Sequence, residues 1–229
     1  VTTSGARLLD EDASTSLVRD IFPRCALVTP NIPEAEALLS SAPLATPAAI
    51  EEAAEQLLLL GCRAVLIKGG HSGGNEAPSA HVAQDYFADG ASGVRCWLTS
   101  PRLATSNTHG TGCTLSSAIA ALLARGLPLL DAIVLSKAYV TKGIACSVQF
   151  GAGPGPVAHT GWPQSAEAMP WISSTATDGA SPPVFARCTP GEMSCVLPVV
   201  DSAELVHELA AAGAAHVQLR LKDVSPSDV

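Results

Sequence analysis

The sequence has few basic residues and no long apolar run, and each absence excludes a class of function. Lysine and arginine total 13 against 21 aspartates and glutamates, which gives a formal charge of -8. A nucleic-acid-binding protein needs a basic surface to displace counterions, so this balance argues against a nucleic-acid partner. No apolar run approaches the ~20 residues that span a bilayer, and residues 1–5 lack both parts of a signal peptide. We therefore expect a soluble protein without a membrane partner.

No two of the seven cysteines have the C-x-x-C spacing of a zinc or thioredoxin-type site. An odd number of cysteines with apolar neighbours is typical of a reducing compartment. We expect a cytoplasmic protein, with a plastid location as the alternative if the source is a plant or an alga. Most of these cysteines are expected to be small core residues.

The size of the chain allows one domain and part of a second. It has 229 residues, of which 47% are apolar and 15% charged, so it can bury a core and is not a disordered tail. It begins at Val1 without an initiator methionine, in the middle of a domain-like pattern. We expect a fragment of a longer protein.

Residues 1–150 alternate helical and strand patterns. Helices are predicted over 12–22, from residue 32, over 46–60, and at about 113–125 and 128–148, with strands at 26–29 and 64–67. This alternation of strands and helices predicts an α/β fold with a parallel sheet covered by helices on both faces. The turn at Asp89 and Gly90, between segments 85–87 and 94–97, predicts an antiparallel hairpin.

The composition changes after residue 150. Glycine, proline, serine and threonine dominate the next stretch, and we interpret residues 151–195 as a tail and linker. Residues 196–229 then carry one strand–helix–strand pattern. A lone βαβ unit cannot bury both faces of its strands, so we expect a second domain that is cut short.

The strongest local signal is NTHGTGCT at residues 107–114, which leads directly into a helix. Glycines before a helix let backbone N–H groups converge, and phosphoryl transfer needs such a cradle for the charge on the moving group. Cys113 falls at the helix N-terminus, where a thiolate is favoured, and is a candidate general base. The alternative is a small residue packed under a glycine turn.

Two further patterns lie at strand and helix ends. Lys68 follows a buried strand, at the edge where open α/β sheets bind ligands, and either contacts phosphate or is an ordinary surface lysine. Asn31 and Glu34, three residues apart at a helix start, could hold a hydrated Mg²⁺. The alternative for this pair is helix capping.

Together these motifs resemble the hydroxymethylpyrimidine/phosphomethylpyrimidine kinases of thiamine biosynthesis, members of the ribokinase-like superfamily. The matching stretches are VTTSG at 1–5, TPNIPEA at 29–35, LIKGGH at 66–71 and NTHGTGCTLS at 107–116. The resemblance covers about residues 1–150, taken as the C-terminal part of such a domain: a ribokinase-like sheet with flanking helices. It implies ATP- and Mg²⁺-dependent phosphorylation of 4-amino-5-hydroxymethyl-2-methylpyrimidine and of its monophosphate. Most of the pyrimidine pocket would lie in the family's other half.

The same resemblance assigns the reacting end of the site. Gly110, Thr111 and Gly112 would form the anion hole, and Cys113 would be the active-site residue. Most ribokinase relatives carry aspartate at this position, so a cysteine points to the pyrimidine kinases or to the related pyridoxal kinases.

It also assigns the nucleotide end. Asn31 and Glu34 match the superfamily's N-x-x-E motif for Mg²⁺ and phosphate, and Asn31 would also contact the nucleotide. Lys68 would approach the ATP phosphates, and Lys137 would be a further lysine on the nucleotide side.

A second resemblance lies beyond the linker. LPVVDS at 197–202 and VQLRLKD at 217–223 are similar to the first βαβ unit of thiamine-phosphate synthase, a TIM barrel. In that family the Q-x-R-x-K stretch binds the pyrimidine diphosphate, and Gln218, Arg220 and Lys222 match it. Alternation places the three side chains on one face of a strand, where two cations and an amide suit a pyrophosphate.

The order of the two resemblances indicates a bifunctional enzyme, because the product of the kinase is the substrate of the synthase. We expect a small-molecule pyrimidine substrate, ATP and Mg²⁺ as cofactors, and a homo-oligomer. Two alternatives stay open: a pyridoxal-type kinase, because the glycine turn does not fix the acceptor, and a fragment that binds nucleotide without turnover.

Overall fold

The computed structural model describes residues 11–69, 81–177, 199–200, 202–214 and 217–219. It divides the chain into two compact units, Val1–Pro182 and Pro183–Val229. Some predicted features lie outside the described residues, namely the stretch at 1–5, Arg220 and Lys222. Among the helices that are described, none is long and apolar enough to cross a membrane.

The first unit contains five α-helices and four strands in its described part. In chain order they are α1 (Glu11–Ser16), α2 (Ile32–Leu39), α3 (Pro47–Leu59), β1 (Ala64–Lys68), β2 (Val82–Asp89), β3 (Arg95–Pro101), α4 (Thr111–Ala124), α5 (Leu129–Ala145) and β4 (Trp171–Ser173). A π-helical stretch (Leu17–Ile21) and a 3₁₀ turn (Phe22–Arg24) continue α1. A further 3₁₀ turn (Ala166–Ala168) precedes β4. The mixed α/β fold agrees with the prediction.

The sheet has the order β1-β2-β3-β4, and each neighbouring pair is antiparallel. The predicted hairpin is confirmed, with Phe87 opposite Cys96. The strands β1 to β4 thus do not form an all-parallel sheet, and the turn after Asp89 is too short to join β2 and β3 in any but an antiparallel pair. The parallel arrangement predicted for the segments at 26–29 and 64–67 is present as isolated bridges, which join Val28 to Val65 and, next to them, Asn31 to Lys68.

Helices cover both faces of the sheet, as predicted. Side chains alternate along each strand, so Val65 and Ile67 pack with the cluster that includes α2 and α3. Leu66 and Phe87 pack on the opposite face with residues of α4 and α5. Lys68, two residues beyond Leu66, belongs to the α4–α5 face.

Residues 151–177 contribute to the first unit. β4 pairs with β3 through Thr99 and Trp171, and Pro156 forms a bridge with His109. The tail-and-linker interpretation of residues 151–195 missed this contribution, because a three-residue strand has too little alternation to be recognised among glycine and proline.

The second unit is a small βαβ arrangement. β5 (Val199–Val200) and β6 (Gln218–Leu219) pair in parallel, and α6 (Ala203–Ala211) lies between them in the chain. The Ser202 side chain accepts a hydrogen bond from Leu205 N at 3.3 Å and so caps α6. This order of elements is the one predicted for residues 196–219.

Candidate functional site

The N-terminus of α4 begins at a glycine turn. Gly110 is the N-cap and has φ 82°, a left-handed conformation that other residues rarely adopt. Thr111 donates to Thr108 O through both its amide (3.3 Å) and its hydroxyl (3.0 Å). No side chain caps the helix, and the first N–H groups of a helix lack intrahelical acceptors. The turn therefore presents N–H groups and partial positive charge to an anion.

Lys68 brings a full positive charge to this turn. Its Nζ donates to Thr29 O at 2.6 Å. The same atom lies 3.7 Å from the position that a Cβ would take on Gly112. The half-buried ammonium of Lys68 thus lies beside the first turn of α4, as a phosphate-binding lysine would need.

The N-terminus of α2 lies next to Lys68. Lys68 N donates to Pro30 O at 2.8 Å, and Asn31 bridges to Lys68. Asn31 and Glu34 form a capping box, in which each side chain accepts the other residue's backbone N–H at 2.8 Å. These contacts support the capping interpretation. Among the described residues no group of three or more His, Cys, Asp or Glu could hold a metal ion.

Cys113 is exposed in the first turn of α4, beside Gly112. Cys62 and Cys96 behave as the core residues expected from the sequence: burial raises the pKa of both thiols, that of Cys62 to about 11. Cys113 therefore combines an exposed position with a place at the proposed anion site.

Lys137 is paired with a carboxylate of β2. Its Nζ forms a buried ion pair with Asp85 Oδ2 at 2.6 Å, and each side chain is 9% exposed. Asp85 Oδ1 accepts a hydrogen bond from Gly69 N at 3.1 Å. Asp85 also faces Lys68 across the β1–β2 register. The predicted nucleotide-side lysine is thus linked to the Lys68–Gly69 strand end through a carboxylate.

The sequence analysis missed Asp85 and residues 155–158. An acidic residue in an otherwise apolar strand was an available signal, since a buried charge needs a partner. Residues 155–158 carried no such signal. They nevertheless touch the glycine turn, where His109 N donates to Gly155 O at 3.1 Å and Val157 N donates to His109 O at 3.0 Å.

The structure therefore gathers three of the predicted motifs in one place within the first unit. The capped start of α2, the end of β1 and the glycine turn of α4 meet around Lys68. Gln218 lies in β6 of the second unit.

Comparisons with known proteins identify a family and several relatives. The phosphomethylpyrimidine kinase family matches residues 1–158. A hydroxymethylpyrimidine/phosphomethylpyrimidine kinase of Rhizobium meliloti is 43% identical over 161 residues, which cover 69% of this chain and 58% of that protein. The thiamine biosynthesis bifunctional protein ThiED of Geobacter sulfurreducens is 45% identical over 159 residues, 69% of this chain and 31% of that protein.

A solved structure supports the fold. The ADP complex of Bacillus subtilis pyridoxal kinase is similar with a TM-score of 0.59 and 31% identity, over 67% of this chain and 57% of that one. The chain thus spans little more than half the length of such relatives, and less of the bifunctional one. Because the family match covers well over half of its residues and includes the whole glycine turn, the chain belongs to the phosphomethylpyrimidine kinase family.

Proposed function

We propose that this chain carries the nucleotide side of an enzyme that phosphorylates 4-amino-5-hydroxymethyl-2-methylpyrimidine and then its monophosphate in thiamine biosynthesis. The observation that carries the proposal is the position of Lys68 Nζ beside Gly112, at the uncapped N-terminus of α4. A lysine and free helical N–H groups at one point form a site for a transferring phosphoryl group.

In this mechanism each group of the turn has one task. The N–H groups of Gly110 and Gly112 hold the negative charge on the phosphoryl oxygens, and that of Thr111 joins them by exchanging its 3.3 Å bond to Thr108 O for one to the anion. Lys68 holds the ATP phosphates in line. The acceptor hydroxyl oxygen attacks phosphorus while the bond to the ADP oxygen breaks. Cys113, as thiolate, takes the proton that the hydroxyl releases.

Mg²⁺ would neutralise phosphate charge when it is bound with ATP. Asn31 and Glu34 already accept backbone N–H groups, so their contact with the ion would run through its water shell, which Mg²⁺ usually retains in part. Lys137 would act on the nucleotide through Asp85 and Gly69.

We further propose that the second unit begins a thiamine-phosphate synthase. This proposal rests on the βαβ order of the second unit and on the position of Gln218 in its second strand. Gln218, Arg220 and Lys222 would bind the diphosphate made by the kinase. The bifunctional relative makes such a fusion reasonable.

A pyridoxal-type kinase is the second candidate, and the likeness to the Bacillus subtilis pyridoxal kinase favours it. The turn and Lys68 serve either alcohol, because they contact the phosphate and not the acceptor ring.

Steady-state phosphorylation decides between these activities. The full-length protein that contains this chain should use ATP·Mg to phosphorylate the hydroxymethylpyrimidine and its monophosphate with a kcat/KM at least tenfold above that for pyridoxal. The reverse preference would favour the pyridoxal kinase. ATP·Mg binding by calorimetry, without turnover of either alcohol, would show a nucleotide-binding module instead.

A further inference from the structure

We propose that residues 155–158, here called the strap, fix the conformation of the Gly110 turn, and that Asn107, Gly143 and Gly155 are positioning residues. The inference rests on the proposed function in one respect: the turn is taken to bind phosphate. The strap would support the turn through His109, and it would not contact the reacting groups.

Backbone hydrogen bonds join the strap to the turn. His109 N donates to Gly155 O, and Val157 N donates back to His109 O. The two bonds fix the strap alongside His109, the residue that precedes the N-cap of α4. Val157 is 4% exposed, and its Cγ1 lies 4.0 Å from where a Cβ would stand on Gly110.

The fit between Gly155 and Asn107 leaves no room for a side chain. A Cβ on Gly155 would overlap Asn107 Oδ1 and would lie 2.7 Å from Asn107 Cγ. Asn107 is 4% exposed, and its Oδ1 has no hydrogen-bond partner among the described residues. The amide of Asn107 therefore serves here as a packing surface that sets the distance between turn and strap.

α5 supports the other end of the strap. Ala158 N donates to Gly143 O at 3.0 Å. A Cβ on Gly143 would lie 2.5 Å from Ala158 O and 2.7 Å from Val157 Cγ2. The strap thus packs between α5 and the turn. The contact with α5 requires glycine at position 143, and the contact with Asn107 requires glycine at position 155.

This close packing matters because phosphoryl transfer depends on geometry. Catalytic groups need to stand within about 0.5 Å of their productive positions, and a displacement of 1 Å can cost roughly 10²-fold in rate. A side chain at Gly155 would displace either Asn107 or the strap, and both lead directly to the turn.

Gly155→Ala tests the proposal, with Gly153→Ala as the matched control. Gly153 lies two residues away, has an ordinary φ and has nothing within 4 Å of a new Cβ. In the full chain, Gly155→Ala should speed amide hydrogen exchange at His109 and Val157 at least tenfold and weaken binding of ADP with Mg²⁺ at least tenfold. Gly153→Ala should change neither, and unchanged exchange in Gly155→Ala would overturn the proposal.

The double variant Asn107→Ala/Gly155→Ala separates positioning from general damage. Without the Asn107 amide, the nearest remaining side-chain atom, Asn107 Cβ, lies 3.4 Å from the new Cβ, an ordinary contact. The double variant should recover most of the slow exchange and of the ADP affinity. If it stays as impaired as Gly155→Ala, the strap does not act by this contact.

Two further readouts keep the test decisive. If Gly155→Ala does not fold, Gly143→Ala probes the same strap from α5 and should speed exchange at Ala158; wild-type exchange there would overturn the proposal. If the wild-type protein binds no ADP with Mg²⁺, the proposed function fails, while the exchange rates at His109 and Val157 still decide the role of the strap.

Discussion

At the scale of single residues, Asn31 and Glu34 form a capping box and also match a metal motif, and two substitutions at Glu34 separate these roles. Glutamine can accept the Asn31 N–H as glutamate does, so Glu34→Gln should leave the free energy of unfolding nearly unchanged. It should raise the Mg²⁺ concentration that gives half-maximal rate, because a neutral group holds the hydrated ion less well.

Glu34→Ala is the companion variant. It removes the bond between the side chain and Asn31 N, and should lower the free energy of unfolding by about 1 kcal/mol. Urea unfolding measures the capping, and Mg²⁺ titration of the rate measures the metal role. An unchanged Mg²⁺ requirement in Glu34→Gln would leave capping as the whole role of this residue.

Cys113 offers a second prediction at the same scale. Cys113→Ala should lower kcat by roughly 10²-fold or more, the usual loss when a general base is removed. Cys146, which is also exposed but lies at the C-terminal end of α5, provides the control, and Cys146→Ala should keep wild-type turnover. Near wild-type kcat in Cys113→Ala would show that this thiol does not take the proton.

At the scale of elements, the Asp85–Lys137 ion pair ties β2 to α5. Asp85→Asn leaves a buried lysine without its counter-charge and should lower the free energy of unfolding by about 3–5 kcal/mol. The exposed Arg95–Glu55 pair is the comparison, since Glu55→Gln should cost less than about 1 kcal/mol even though Arg95 holds the pKa of Glu55 below its usual value.

The double variant Asp85→Leu/Lys137→Met asks whether the pair also positions the site. Replacing a buried ion pair by apolar residues of similar volume restores stability in many proteins. Gly69 N would keep Gln84 O as an acceptor but lose Asp85 Oδ1, so we expect urea unfolding close to wild type but a KM for ATP raised several-fold. A wild-type KM would assign the pair to stability alone.

The elements also show where sequence reasoning succeeded. The glycine turn, the helix start at Asn31 and the strand end at Lys68 are local patterns, and each was predicted where the structure has it. Their meeting around Lys68, like the ion pair between residues 52 positions apart, depends on packing across the sheet. No local pattern carries that information.

At the scale of the whole molecule, the two units differ in how much structure supports their strands. β1 lies within a four-stranded sheet with helices on both faces, whereas β5 and β6 are two residues long and pair only with each other among the described residues. A two-stranded sheet is marginally stable in water. Amides of Gln218 and Leu219 should therefore exchange much faster than those of residues 65–67 in a hydrogen-exchange experiment.

A longer chain that includes the rest of the proposed barrel tests whether the second unit is unstable because it is incomplete. A closed (β/α)₈ barrel takes about 250 residues, and adding the remainder should slow exchange at Gln218 and create thiamine-phosphate synthase activity. Lys222→Ala should then weaken use of the pyrimidine diphosphate. Protection of Gln218 and Leu219 equal to that of residues 65–67 in the present chain would contradict the expected instability.

The strap is synthesised after the glycine turn that it contacts. A ribosome adds about 5–20 residues per second, so residues 155–158 follow the turn by roughly 2–10 s at that rate. Until then His109 and Val157 cannot make their two backbone bonds. A ligand stabilises only a state that it binds, so the proposed role of the strap implies that nucleotide should assist the folding of the nascent chain only after the strap has emerged.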